Sequence, residues 1–144
     1  MRLFLDESAW IAVLDRQHDQ HEAFKRYFNE ALQNGTKLFT SNVAVGLALS
    51  ELKERIGLEK SLKFYEILEE AYLVNHIRIL WVGRRAQKEA LRWMRRYHEL
   101  PLGLFDFAHA VLMDRRRIHT ILTQKTAFTR IGFRTIPEGE GTAL

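Results

Sequence analysis

The chain has 144 residues, a common size for one domain, and its 47% apolar and 28% charged content is ordinary for a globular protein and excludes wholesale disorder. The absence of cysteine excludes disulfides, thiolate catalysis and cysteine-ligated zinc, and no run approaches the roughly 20 apolar residues of a membrane span. A formal charge of +4 and a pI near 9.6 lean towards an anionic partner; with no signal-peptide pattern at the N-terminus, a cytoplasmic setting is expected.

Residues 2–5, RLFL, predict a short buried strand. A helix is expected through SAWIAVLDRQH, capped near Glu7 or Ser8. HDQHEAFKRYFNEALQNG places Phe24, Phe28, Ala31 and Leu32 at helical spacing and stops at Gly35. TKLFTSN predicts a second strand, with Ser41 or Asn42 capping a helix over VAVGLALSELKERIG that ends at Gly57. LEKSLKFYEILEEAYL reads as a helix with its apolar stripe through Leu62, Tyr65 and Leu68, or through Leu58, Leu62 and Tyr65.

IRILWVG predicts a third strand, and RRAQKEALRWMRRYHEL a helix ended before Pro101. LFDFAHAVLMDRRR predicts a further helix; HTILTQ and FRTIP read as short strands joined through KTAFTRIG. Strands alternating with helices predict an α/β/α sandwich around a largely parallel sheet of four to five strands. One domain over residues 1–137 and a frayed tail over 138–144 are expected.

Sites in open parallel sheets form at the carboxyl ends of the strands. Asp6, Asn42, and Gln124 with Lys125 follow three of the strands, so these distant residues should gather on one edge. Asp106, near the start of its helix, can face the same place. Asp6 and Ser8 can equally cap a helix, and Asp106 can complement a helix dipole. His109, three residues after Asp106, shares its face, with a half-buried structural histidine as the simpler reading. The six histidines show no HxH or HExxH spacing, against a zinc enzyme. Arg84, Lys88 and Arg92 recur at helical spacing and form a basic stripe, which is either a solvated face or a surface for nucleic acid. Trp10, Trp81 and Trp93 read as core or interface residues.

FLDESAWIAVLDRQHDQHEAF, TSNVAVGLALSEL and LPLGLFDFAHAVLMDRRRIHTILTQKTAFTRIGFRTIP together resemble, in order and spacing, the PIN domain, in particular the single-domain VapC-type toxins. The resemblance implies a metal-dependent endoribonuclease acting on single-stranded RNA, with Asp and Glu side chains holding Mg²⁺ or Mn²⁺. It also implies an antitoxin partner and a homodimer formed through the early helices. Carried over by position, the first and third acids are Asp6 and Asp106. The other two fall on Leu47 and Lys125.

Leucine removes a ligand, and lysine puts a cation where one should bind. Two unit charges ~4 Å apart at an effective dielectric of ~20 interact by about 4 kcal/mol, so this sign change is large. Glu51, one helical turn after Leu47, is a substitute ligand or simply a partner for Arg55. Cleavage is therefore expected to be weak or absent. The alternative is a non-catalytic domain that binds RNA or a protein partner, with Ser8, Asn42, Lys125, Arg84, Lys88 and Arg92 as candidate phosphate contacts. A flavodoxin-like phosphate-binding domain is disfavoured because no glycine-rich loop follows the first strand.

Overall fold

The computed structural model describes residues 1–138; of the expected tail, residues 139–144 lie outside it. In chain order the elements are β1 (Arg2–Leu5), α1 (Glu7–Leu14), α2 (His21–Gln33), β2 (Lys37–Ser41), α3 (Asn42–Ile56), α4 (Leu58–Leu73), β3 (Ile77–Leu80), α5 (Arg84–Arg96), α6 (Leu104–Arg115), β4 (Thr120–Leu122), a 3₁₀ helix (Thr126–Ile131) and β5 (Arg134–Ile136). The five strands form one sheet in the order β3-β2-β1-β4-β5, and every pairing is parallel.

Alternation along the strands builds two cores. Phe4, Phe39, Leu80 and Ile121 face α5 and α6, whereas Leu3, Leu5, Leu38, Ile77 and Leu122 face α1 to α4. The result is the three-layer α/β/α arrangement, with β1 central and the carboxyl ends of β1, β2 and β4 adjacent. No helix among the described residues is long and apolar enough to cross a membrane.

Several details differ from the sequence expectation. Helix α1 ends at Leu14 because Asp15 leaves the helix and its carboxylate accepts the Gln17 N–H at 2.9 Å. Strand β3 ends at Leu80, and α5 ends at Arg96, with Tyr97 as its cap. Helix α4 buries Ser61, Phe64 and Leu68, so of the two expected stripes only Leu68 turns inward; Leu58, Leu62 and Tyr65 face outward. Phe64 sets this rotation by packing on Trp10, with ring centroids 5.3 Å apart.

Gly57 separates α3 from α4 at φ +93°, ψ 159°, a region open essentially to glycine. A Cβ there meets nothing within 4 Å, so Gly57→Ala tests backbone strain alone. An expected loss of about 1–3 kcal/mol, read by urea denaturation, checks this.

Candidate active site cleft

Asp6 leaves the end of β1 fully buried and caps α1, its Oδ1 accepting the Ala9 N–H at 3.1 Å. The Ser8 hydroxyl donates to the same oxygen at 2.6 Å, and the Thr123 hydroxyl donates to Oδ2 at 2.6 Å. Ser8 Oγ in turn accepts the Gln124 N–H at 2.9 Å, and Thr123 Oγ1 accepts the Lys125 N–H at 3.0 Å. This mesh sews the start of α1 to the end of β4. Burial pushes the Asp6 carboxyl up to about 7, and the neighbouring Glu7 carboxylate adds to the rise.

Asp106 reaches the same place from the first turn of α6. Its Oδ2 accepts the Gly103 N–H at 2.9 Å, and its Oδ1 accepts from Lys125 Nζ at 2.6 Å. The same ammonium donates to Glu7 Oε2 at 2.8 Å. Lys125 thus sits between two carboxylates with its side chain 35% exposed. Burial opposes its charge, but the bonds to Asp106 and Glu7 outweigh that and hold it protonated well above the ordinary lysine range. Burial also opposes the charge on Glu7, yet the hydrogen bond from Lys125 keeps its carboxyl below the usual range.

Glu7 is the site residue that sequence reasoning missed. A glutamate in a first helical turn reads as a complement to the dipole; the available signal was Lys125 itself, whose charge beside Asp6 and Asp106 calls for a further acid nearby.

His109 is fully buried rather than half-buried, its ring tilted against that of Phe4 with centroids 5.0 Å apart. Ser41 Oγ accepts the Ala44 N–H and shares a hydrogen bond of 2.7 Å with His109 Nε2. The other ring nitrogen, Nδ1, faces Glu7 Oε1 at 3.9 Å. Burial lowers the His109 pKa to about 4 against the opposing pull of Glu7 and Asp106. The ring is expected to stay neutral at pH 5.5 in long-range ¹H–¹⁵N spectra. Its folded-state pKa is depressed, so the stability it contributes is full above pH 6.5 and is lost as pH falls towards 4.

The remaining sequence candidates fall in two groups. Asn42 Oδ1 accepts the Val82 N–H at 2.6 Å and fastens the β3–α5 connection to the start of α3. Leu47 is 41% exposed on α3, and the Glu51 carboxylate is taken by Arg55 at 3.1 Å, which also reaches Asp15 at 3.1 Å. Arg84, Lys88 and Arg92 lie outside the cleft on the exposed face of α5, with Arg92 bonded to Glu89 at 3.1 Å. Trp81, expected in a core or interface, is 72% exposed at the carboxyl end of β3.

A divalent ion needs deprotonated carboxylates with free lone pairs. Here both Asp6 oxygens accept hydroxyl donors, both Asp106 oxygens are engaged, and an ammonium lies between Asp106 and Glu7. Among the described residues no group of three or more Asp, Glu or His is placed to hold a metal ion. The side chains present do not fit Mg²⁺ or Mn²⁺.

A parallel sheet in this strand order, with Asp6 and Asp106 meeting at the carboxyl ends of its central strands, defines an α/β/α domain with an acidic cleft. The sequence profile of the PIN domain matches residues 3–134, and the chain belongs to that family. No curated protein matches it. Among solved structures it is similar to VapC20 of Mycobacterium tuberculosis, described as a sarcin-ricin loop cleaving toxin (TM-score 0.79, 21% identity, 91% of this chain and 95% of that one). It is also similar to VapBC2 of Rickettsia felis bound to a DNA fragment from their promoter (0.66, 12%, 94% and 97%) and to FitAcB of Neisseria gonorrhoeae (0.63, 16%, 92% and 95%). At these identities the likeness is one of fold.

Proposed function

We propose that this PIN-domain protein descends from a metal-dependent endoribonuclease of VapC type and holds single-stranded RNA while cleaving it weakly or not at all. The observation that carries the reading is α5. This helix exposes Arg84, Arg85, Lys88, Arg92, Arg95 and Arg96 against the single acid Glu89. Two of those arginines stand in its first turn with no acid beside them, at the end of the dipole that disfavours cations. Local stability does not explain that placement; attraction of phosphates does. Trp81, three residues before the helix, supplies an exposed ring on which a base can stack. The enzymatic reading has Asp6 and Asp106 in its favour; the binding reading has Leu47 and Lys125.

Four phosphate contacts along α5 give a slope of about −2.8 in log affinity against log salt, so binding weakens roughly 50-fold between 50 and 200 mM salt. Fluorescence anisotropy with a labelled mixed-sequence single strand reads this directly. An affinity that does not change with salt refutes the proposal.

A protein partner is a second reading, favoured by a specific apolar groove. Phe28 and Leu32 of α2 face Phe64, Ile67 and Ala71 of α4 across it, with Trp10 at its floor. A VapC-type ancestry supplies an antitoxin segment as the occupant. The outward row Leu58, Leu62 and Tyr65 of α4 suits self-association. Light scattering of the purified chain distinguishes a homodimer from the 17.0 kDa monomer.

A further inference from the structure

We infer that the Lys125 ammonium is a built-in counter-ion for the acidic cleft, partnered by Glu7, and that removing it makes the cleft a divalent-cation site. This role of Lys125 does not depend on RNA binding. It starts from one cation bridging carboxylates on two different helices: Nζ lies 2.6 Å from Asp106 Oδ1 on α6 and 2.8 Å from Glu7 Oε2 on α1. The lysine backbone is fixed as well, because its N–H donates to Thr123 Oγ1, the hydroxyl that also bonds Asp6. The ammonium thus does electrostatically what a bridging ion does, holding together acidic groups that would otherwise repel.

A second observation comes from the buried wall of the cleft. Glu7 Oε1 and His109 Nδ1 face each other at 3.9 Å, and both are buried without a hydrogen-bond partner. His109 is wholly buried and turns its Nδ1 towards the glutamate. One carboxylate oxygen beside the ammonium therefore keeps unused acceptor capacity. Truncating Lys125 frees Glu7 Oε2 and Asp106 Oδ1 in addition and vacates the volume of a four-carbon stem. Mg²⁺ and Mn²⁺ are satisfied by one or two carboxylates when water completes their octahedron, so this cleft would then bind them, weakly.

The test is thermal denaturation of the full chain, natural and Lys125→Ala, in EDTA, in MnCl₂ and in n-butylammonium chloride, with ionic strength matched by NaCl. The natural protein is expected to melt at the same temperature with EDTA or Mn²⁺. Lys125→Ala is expected to melt lower in EDTA and to recover by about 4 °C when Mn²⁺ reaches ten times its dissociation constant. The alkylammonium, which replaces the missing side chain, should restore part of the loss. Adding Glu7→Gln to Lys125→Ala should abolish the Mn²⁺ response.

Equal Mn²⁺ stabilisation of natural and variant proteins overturns the inference, as does a folded Lys125→Ala that ignores the metal. Should Lys125→Ala not fold, Lys125→Met keeps most of the stem. Mn²⁺ bound by this variant but not by the natural chain, read by water-proton relaxation, then supports the inference, and equal relaxation in both overturns it.

Discussion

Replacing Arg84, Arg85 and Lys88 together by glutamate lowers affinity for single-stranded RNA by about 50- to 100-fold at 150 mM salt, while the protein unfolds at the same temperature or slightly above. Removing one cation–phosphate pair at that salt weakens binding by roughly a factor of four through counterion release, and reversed charges add repulsion. All three side chains are exposed, and among the described residues none of them forms an ion pair. Glutamate in the first turn of α5 suits the positive end of the dipole by about 0.3–1 kcal/mol per site. The two outcomes move in opposite directions, which separates a binding surface from a structural one. Trp81→Ala is expected to weaken binding further by stacking alone, about 1–3 kcal/mol. A triple variant that binds RNA normally refutes the role of α5.

Asp6→Asn is expected to change the pH dependence of stability. The Asp6 carboxyl is raised by burial to about 7 in the folded state, against 3.8 for the exposed group. A raised folded-state pKa means that the stability contribution is full below pH 3.8 and is lost as pH rises through 7, because folding must then bury a carboxylate. The amide carries no such penalty. Relative to the natural protein, Asp6→Asn should therefore gain about 3 kcal/mol between roughly pH 5 and pH 8. It gives up one hydroxyl bond, about 1 kcal/mol, at every pH. Urea denaturation at the two pH values reads the difference. Were Asp6 only a helix cap, the variant would be less stable by a similar amount at both.

Much of the fold can be read from the sequence because apolar runs such as RLFL and IRIL are bounded by residues with clear local preferences. Gly57 and Ser41 mark ends that the structure keeps. Rotation about an axis is harder to read. In α4, Leu58, Leu62 and Tyr65 form a good apolar stripe, but the face turned inward is the one that lets Phe64 meet Trp10. Which of two plausible faces is buried depends on a partner more than 50 residues away, and periodicity does not contain it.

The cleft shows the same division. Asp6, Asp106 and Lys125 come together as strand-end reasoning in a parallel sheet predicts. Glu7 went unassigned because its local meaning, an acid in a first helical turn, was sufficient by itself. Only the hydrogen bond from Lys125, 118 positions away in sequence, gives it a role in the site.

The measurement that tests the account most directly is Mn²⁺-dependent cleavage of a mixed single-stranded RNA, with Asp106→Asn purified in parallel and binding followed on the same samples. Both proteins are expected to bind the strand and to leave it intact at equal background levels. Cleavage by the natural protein that disappears in Asp106→Asn would contradict it, showing that the cleft admits a working metal despite Lys125.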